Sequence, residues 1–90
     1  MQKNSKEYNK YNTGTQMYKN VPLKLIVYTE NHFAKLKAKR FTINGTNQNI
    51  WIPNVYLEPD GTLKENINID FIFYKSARQL ELAGVEFKAN

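Results

Sequence analysis

The fold is decided by residues 40–53, RFTINGTNQNIWIP, which predict two strands joined by a tight turn. Asn44-Gly45 is the strongest short signal for a β-hairpin, because both residues tolerate the positive φ that this turn requires. Residues 40–43 form the strand before the turn, and the return strand is expected from Thr46 to about Leu57. Pro53 cannot donate a ladder hydrogen bond, so the return strand should lie at a sheet edge or be bulged.

The return strand separates its side chains onto two faces. Ile50 and Ile52 point to one side, and Trp51 points to the other side together with Asn47 and Asn49. An exposed tryptophan among amides would be a platform for base stacking or for protein contact. The alternative, which we expect for so small a domain, is that a helix packs over Trp51 and buries it.

Two further strands are expected on either side of this hairpin. Residues 21–28, VPLKLIVY, are rich in β-branched side chains and place proline near the start, where a missing N–H is tolerated. Residues 66–74, NINIDFIFY, alternate between apolar and polar positions, which is typical of a half-buried strand. We expect this strand to be central, with four residues in the core: Ile67, Ile69, Phe71 and Phe73.

Two short helices are expected. The first covers residues 29–39, with Thr29 or Asn31 as its N-cap and lysines gathered toward its C-terminal end. The second begins at Ser76, which stands in a capping box of the form S-x-x-Q. It should end at Gly84, with Val85 placed for the apolar contact of a Schellman motif.

The chain divides at residue 20. Residues 1–20 contain no Leu, Ile, Val, Phe or Trp, so they are expected to form a flexible basic arm. Residues 21–90 are expected to form a single α+β domain. Its architecture should be a mainly antiparallel sheet of about four strands with two short helices on one face.

Composition excludes several classes of protein. The 90 residues include no cysteine and one histidine, so neither a disulfide framework nor a metal site is expected. No apolar run reaches the roughly 18–20 residues of a membrane span, and residues 1–12 lack the apolar stretch of a secretory signal. We therefore expect a cytoplasmic protein. No phosphate-binding glycine motif or nucleophile elbow occurs, so we expect no cofactor and no enzymatic activity.

Charge is distributed unevenly, although the net charge is only +5. Residues 1–40 carry nine Lys/Arg and two acidic residues, whereas residues 41–90 carry four Lys/Arg and six acidic residues. Cations neutralise phosphates, and aromatic rings stack on unpaired bases. The residues expected to bind nucleic acid or another partner are Lys10, Tyr11, Tyr18, Lys19, Lys35, Lys37, Lys39, Arg40 and Trp51. The alternative is that the lysine cluster is a solvated helix face and the arm a solubilising tail.

Two functions from different classes follow from these patterns. The first is a small non-catalytic accessory protein that associates with nucleic acid through its basic N-terminal half. The twelve asparagines and eleven lysines are typical of an AT-rich source such as a bacterial mobile element or phage. The second is a protein-binding inhibitor or adaptor, comparable to anti-restriction or anti-CRISPR proteins, that docks on a larger host or phage protein. Its lysines would then meet an acidic patch or a nucleic-acid complex of that protein.

Overall fold

Over the residues that the structure describes, the chain forms four antiparallel strands and two short helices. The computed structural model describes residues 10–27 and 37–89. The strands are β1 (Thr15–Tyr18), β2 (Val21–Leu25), β3 (Ala38–Ile43) and β4 (Asn49–Pro53), in the sheet order β1-β2-β3-β4 with every neighbouring pair antiparallel. A 3₁₀ turn (Asn54–Tyr56) follows β4, and the helices are α1 (Asp70–Lys75) and α2 (Ala77–Leu82). This confirms the expected α+β domain with a four-stranded antiparallel sheet.

The hairpin of β3 and β4 is confirmed as the sequence predicts. Asn44 and Gly45 both have positive φ, 52° and 69°, and the Ile43 N–H donates to the Gln48 carbonyl at 2.9 Å. The return strand begins later than expected, at Asn49, because residues 44–47 are all used by the turn. It ends at Pro53 and lies at the edge of the sheet.

The first strand corrects the predicted boundary of the N-terminal arm. Residues 15–18 pair with β2, and Tyr18 is only 6% exposed, so residues 10–20 belong to the domain rather than to an arm. A short edge strand needs few buried side chains, and the ring of Tyr18 supplies the apolar surface that the aliphatic count missed. The remainder of the predicted arm, residues 1–9, lies outside the described residues.

The expected central strand at residues 66–74 is wrong. Residues 67–69 belong to no strand and do not pair with the sheet, and Asp70 begins α1. On this helix Ile72 and Phe73 are buried together with Ile69, whereas Phe71 is 46% exposed. The apolar run fits a helical period of i, i+3 and i+4 as well as it fits alternation, and packing against the sheet selects the helix.

The start of α2 differs from the prediction, and its end matches it. Ser76 has φ −101° and ψ 23° and makes no side-chain capping bond, because it also ends α1 and cannot adopt the extended backbone of a capping serine. At the other end the Val85 N–H donates to the Leu80 carbonyl at 2.9 Å, and the Gly84 N–H donates to Glu81 at 3.0 Å. With Gly84 at φ 78°, these bonds form the expected Schellman motif.

The predicted helix at residues 29–39 falls mostly on residues 28–36, which lie outside the described part of the chain. Its last two residues, Ala38 and Lys39, belong to β3, where they pair with Pro53 and Ile52. Residues 38 and 39 are therefore strand and not helix, which corrects that part of the prediction.

The core lies between one face of the sheet and the two helices. Alternate strand residues, including Leu23, Phe41, Ile43 and Ile52, are almost fully buried there. The helical layer contributes Phe73, Leu80 and other residues to the same cluster. The remaining strand residues point the opposite way and define the outer face of the sheet: Thr15, Met17, Pro22, Lys24, Ala38, Arg40, Thr42, Asn49, Trp51 and Pro53.

Candidate functional site

The most prominent feature of the outer face is the pair formed by Arg40 and Trp51. These residues are directly opposite each other in β3 and β4, and the guanidinium carbon lies 5.6 Å from the centre of the indole ring. That distance is within the range of a cation–π contact. Trp51 points outward because Ile50 and Ile52, on either side of it, are 2% and 0% exposed in the core.

Trp51 itself is 44% exposed, which corrects the expectation that a helix covers it. Both α1 and α2 pack on the other face of the sheet, against the isoleucines that flank Trp51. The indole and the neighbouring Asn49 therefore form part of the protein surface. An accessible indole beside a cation can receive a planar group or an apolar side chain.

Lys24 is a cation on this face that the sequence analysis did not single out. It lies on β2 opposite Thr42, whose hydroxyl donates to the Lys24 carbonyl at 3.4 Å. Its side chain is exposed, while Val21, Leu23 and Leu25 are buried. This alternation in the sequence VPLKL is the signal that would have identified Lys24 as an outward-facing residue.

Charge is divided between the sheet and the part of the chain that follows it. The described residues from 10 to 53 include six Lys/Arg and no acidic residue. Those from 54 to 89 include six acidic residues and four Lys/Arg. The outer face carries two cations, Lys24 and Arg40, and no Asp or Glu among the residues that define it. The uneven charge of the sequence therefore places positive charge in the sheet, where it favours an anionic ligand.

The predicted basic cluster does not form one surface. Lys35 lies outside the described residues, and Lys37 is exposed just before β3. Lys39 is only 8% exposed, and its ammonium donates to Asn54 Oδ1 at 3.0 Å. Burial lowers the pKa of Lys39. Because these residues form a strand rather than a helix, Lys39 and Arg40 point to opposite faces.

Tyr18 and Lys19 are held by contacts within the domain. The Tyr18 hydroxyl donates to Asp70 Oδ1 at 2.6 Å and accepts the Ile69 N–H at 2.9 Å, while its ring stacks on Phe73. Lys19 forms an ion pair with Asp70 at 2.9 Å. Burial, with a smaller effect of the bond to Asp70, raises the pKa of Tyr18. The hydrogen bonds from Tyr18 and Lys19 lower the pKa of Asp70. The buried ring of Tyr18 is not accessible to a base.

Lys10 and Tyr11 lie at the start of the described chain. Lys10 is exposed, and Tyr11 is half-buried against the core cluster. The adjacent Asn12 anchors this segment, since its backbone N–H donates to the Asp60 carbonyl at 2.8 Å and its side chain donates to the Thr62 hydroxyl at 3.0 Å. Of these two predicted residues, Lys10 is the more accessible.

Two open grooves flank the helices. One, of about 610 Å³, runs between β4 and α1 and is lined by Trp51, Pro53, Phe71 and Lys75 among others. The other, of about 730 Å³, lies between the helices and the segment that follows α2. The groove at β4 adjoins the outer face through Trp51, and both Trp51 and Phe71 are exposed there. Exposed aromatic side chains beside an edge strand are a feature of protein-contact surfaces.

The described residues form neither a metal centre nor a membrane-spanning helix. In the part of the chain that the structure describes, no three His, Cys, Asp or Glu side chains lie close enough to hold a metal ion. The same residues include no helix with the length and apolarity needed to cross a membrane. The only histidine, His32, lies outside this part.

Comparison of the chain with known proteins finds no relative. No family model, no curated protein and no solved structure matches the chain. The evidence on function is therefore the outer face itself: an exposed indole paired with a guanidinium, a second cation on the same face, and no acidic residue among its members.

Proposed function

We propose that the protein is a small non-catalytic accessory protein that binds nucleic acid through the outer face of its sheet. The pairing of Arg40 with the exposed Trp51 carries this proposal. We propose a bacterial mobile element or phage as its source, since the composition is rich in asparagine and lysine, and the reducing cytoplasm as its location, since the sequence contains no cysteine. The basic residues involved differ from the cluster that the sequence predicts, since Lys24 and Arg40 share this face and Lys39 does not.

Electrostatics supplies the sequence-independent part of binding. Lys24 and Arg40 stand on adjacent strands and point to the same side, and the strand residues that define the outer face include no Asp or Glu. Each phosphate that a cation neutralises releases counterions, so binding weakens as the salt concentration rises. The indole of Trp51 adds a π surface that accepts any base.

The experiment is a titration of labelled oligonucleotides at about 50 and about 200 mM salt, followed by fluorescence anisotropy. Lys24→Gln and Arg40→Gln should each weaken binding and flatten the slope of log K against log[salt] by ~0.7–0.9, the value for one lost phosphate contact. Arg78→Gln is the matched control, because Arg78 is exposed on α2 in the helical layer. The proposal fails if wild-type protein binds no oligonucleotide, or if Arg78→Gln has the same effect as Arg40→Gln.

A protein-binding inhibitor or adaptor is the second candidate, favoured by the groove between β4 and α1. Phe71, which lines this groove, is 46% exposed, and β4 is an edge strand. A partner segment could pair with such an edge and place apolar side chains against the aromatic residues. This candidate takes precedence if no oligonucleotide binds and if one identified host or phage protein binds wild type but not Phe71→Asp.

A further inference from the structure

We propose that the nucleic acid bound by the outer face is single-stranded and that one unpaired base stacks on the indole of Trp51. This inference rests on the proposed function and specifies the class of nucleic acid. It concerns the chemistry shared by single-stranded DNA and RNA, since both present bases with two exposed π faces.

The shape of the outer face favours a single strand. Four antiparallel strands form the surface, and Trp51 lies on its edge strand with 44% of its side chain exposed. The bases of a duplex are already stacked on one another, and proteins read them by inserting a helix or a β-ribbon into a groove. The described outer face belongs to the sheet, with both helices on the opposite side. An indole on such a face reaches the π surface of a base only when that base is unpaired.

The position of Arg40 fits a nucleotide on Trp51. Its guanidinium lies 5.6 Å from the centre of the indole ring, so a base stacked on the indole brings its own phosphate near a cation. Lys24 is two strands away from Trp51 on the same face and can meet a phosphate further along the strand. Among the described residues of β2, β3 and β4, the path from Trp51 to Lys24 crosses Thr42 and Arg40 and no Asp or Glu. Charge and stacking are therefore complementary to one continuous single strand.

The test uses the intrinsic fluorescence of Trp51, the only tryptophan of the chain. The probes are oligo(dT) and oligo(rU) of about 15 nucleotides, which is within the range of single-strand site sizes, and a DNA duplex of about the same length. We expect both single strands to quench Trp51 emission. They should bind at least about tenfold more tightly than the duplex, because a duplex must first be opened to expose a base.

Variants separate stacking from charge. Trp51→Ala should weaken binding of oligo(dT), measured by anisotropy, by about 5- to 150-fold, while leaving the salt slope unchanged. Trp51→Phe should retain most of the affinity because it keeps a π face. Tyr74→Ala is the matched control, since Tyr74 is also an exposed aromatic residue but lies on α1 and does not line the groove beside Trp51. It should bind as wild type does.

The possible outcomes distinguish this inference from the function on which it rests. Equal affinity for duplex and single strand, or unchanged oligo(dT) binding by Trp51→Ala, overturns the single-strand inference. The proposed function then stands if Lys24→Gln and Arg40→Gln still weaken binding. Failure of every probe to bind overturns both.

Discussion

Phe73→Ala should destabilise the domain strongly, whereas Phe71→Ala should not. The two residues are two positions apart, so a strand would place both side chains on one face. The helix α1 separates them by about 200° around its axis. Phe73 is accordingly 0% exposed, and Phe71 is 46% exposed. The pair of substitutions therefore tests whether residues 70–75 are helical.

The magnitude follows from the surroundings of Phe73. Its ring stacks on Tyr18 at 4.7 Å and on Phe87 at 5.1 Å, measured between ring centres. Truncating a fully buried phenylalanine to alanine costs about 3–5 kcal/mol, and each aromatic pair is worth about 0.5–1.5 kcal/mol beyond the buried area. A domain of this size has a free energy of unfolding of roughly 5–13 kcal/mol, so the loss is a large fraction of the total.

The assay is urea unfolding at 25 °C, followed by circular dichroism and by Trp51 fluorescence. Phe73→Leu is included in case Phe73→Ala does not fold, and it should cost about 1–2 kcal/mol. Phe71→Ala should cost less than about 1 kcal/mol, since a substitution at an exposed site rarely exceeds that. Equal destabilisation by Phe71→Ala and Phe73→Ala, or a wild-type midpoint for Phe73→Leu, would refute the helical assignment.

Substitutions at three further positions test other parts of the structure. Asp70→Asn should lower stability near neutral pH because Asp70 accepts the Tyr18 hydroxyl. Folding lowers the pKa of Asp70 from its usual 3.8, so the contribution of Asp70 to the free energy of unfolding is present above pH 3.8 and is lost as the pH falls through the folded pKa. The urea midpoints of wild type and Asp70→Asn should therefore converge in acid. Gly61→Ala should lower Tm by at least about 4 °C, because Gly61 has φ 89° and a Cβ at this position would lie 2.7 Å from Leu25 Cδ2. An unchanged Tm would contradict this packing. Lys39→Met should fold and Lys39→Glu should not, because the site is buried; native-like circular dichroism of Lys39→Glu would contradict that burial.

Local signals predicted those parts of the fold that depend on a few adjacent residues. Asn44-Gly45 and Gly84 require positive φ, and this requirement is met within the turn itself. The segment from Ile69 to Phe73 satisfies two periods at once, and only its packing partners decide between them. The fourth strand of the sheet is instead formed by residues 15–18, at the edge beside β2. These four residues include no Leu, Ile, Val, Phe or Trp, so composition gave no sign of this strand.

The candidate site was predicted only in part, for the same physical reason. Arg40 and Trp51 were both singled out, but their contact depends on the register between β3 and β4. The sequence pattern places Lys39 on the solvated face of a helix, because the helix predicted over residues 29–39 includes Ala38 and Lys39, which belong to β3. In the strand the same residue points toward the core, and Lys24 on β2 takes its place as an accessible cation.

The register of β3 and β4 fixes the candidate site more firmly than the contact between its residues does. A slip by one residue would turn Ile50 and Ile52 outward and Trp51 inward. Exposing two buried isoleucines costs roughly 3–6 kcal/mol, whereas an exposed cation–π pair contributes about 0.5–1 kcal/mol. The core and the Asn44-Gly45 turn therefore hold Trp51 in place whether or not Arg40 contacts it. For this reason Trp51→Ala and Arg40→Gln should remove ligand contacts without changing the fold, and loss of binding in these variants can be assigned to the outer face.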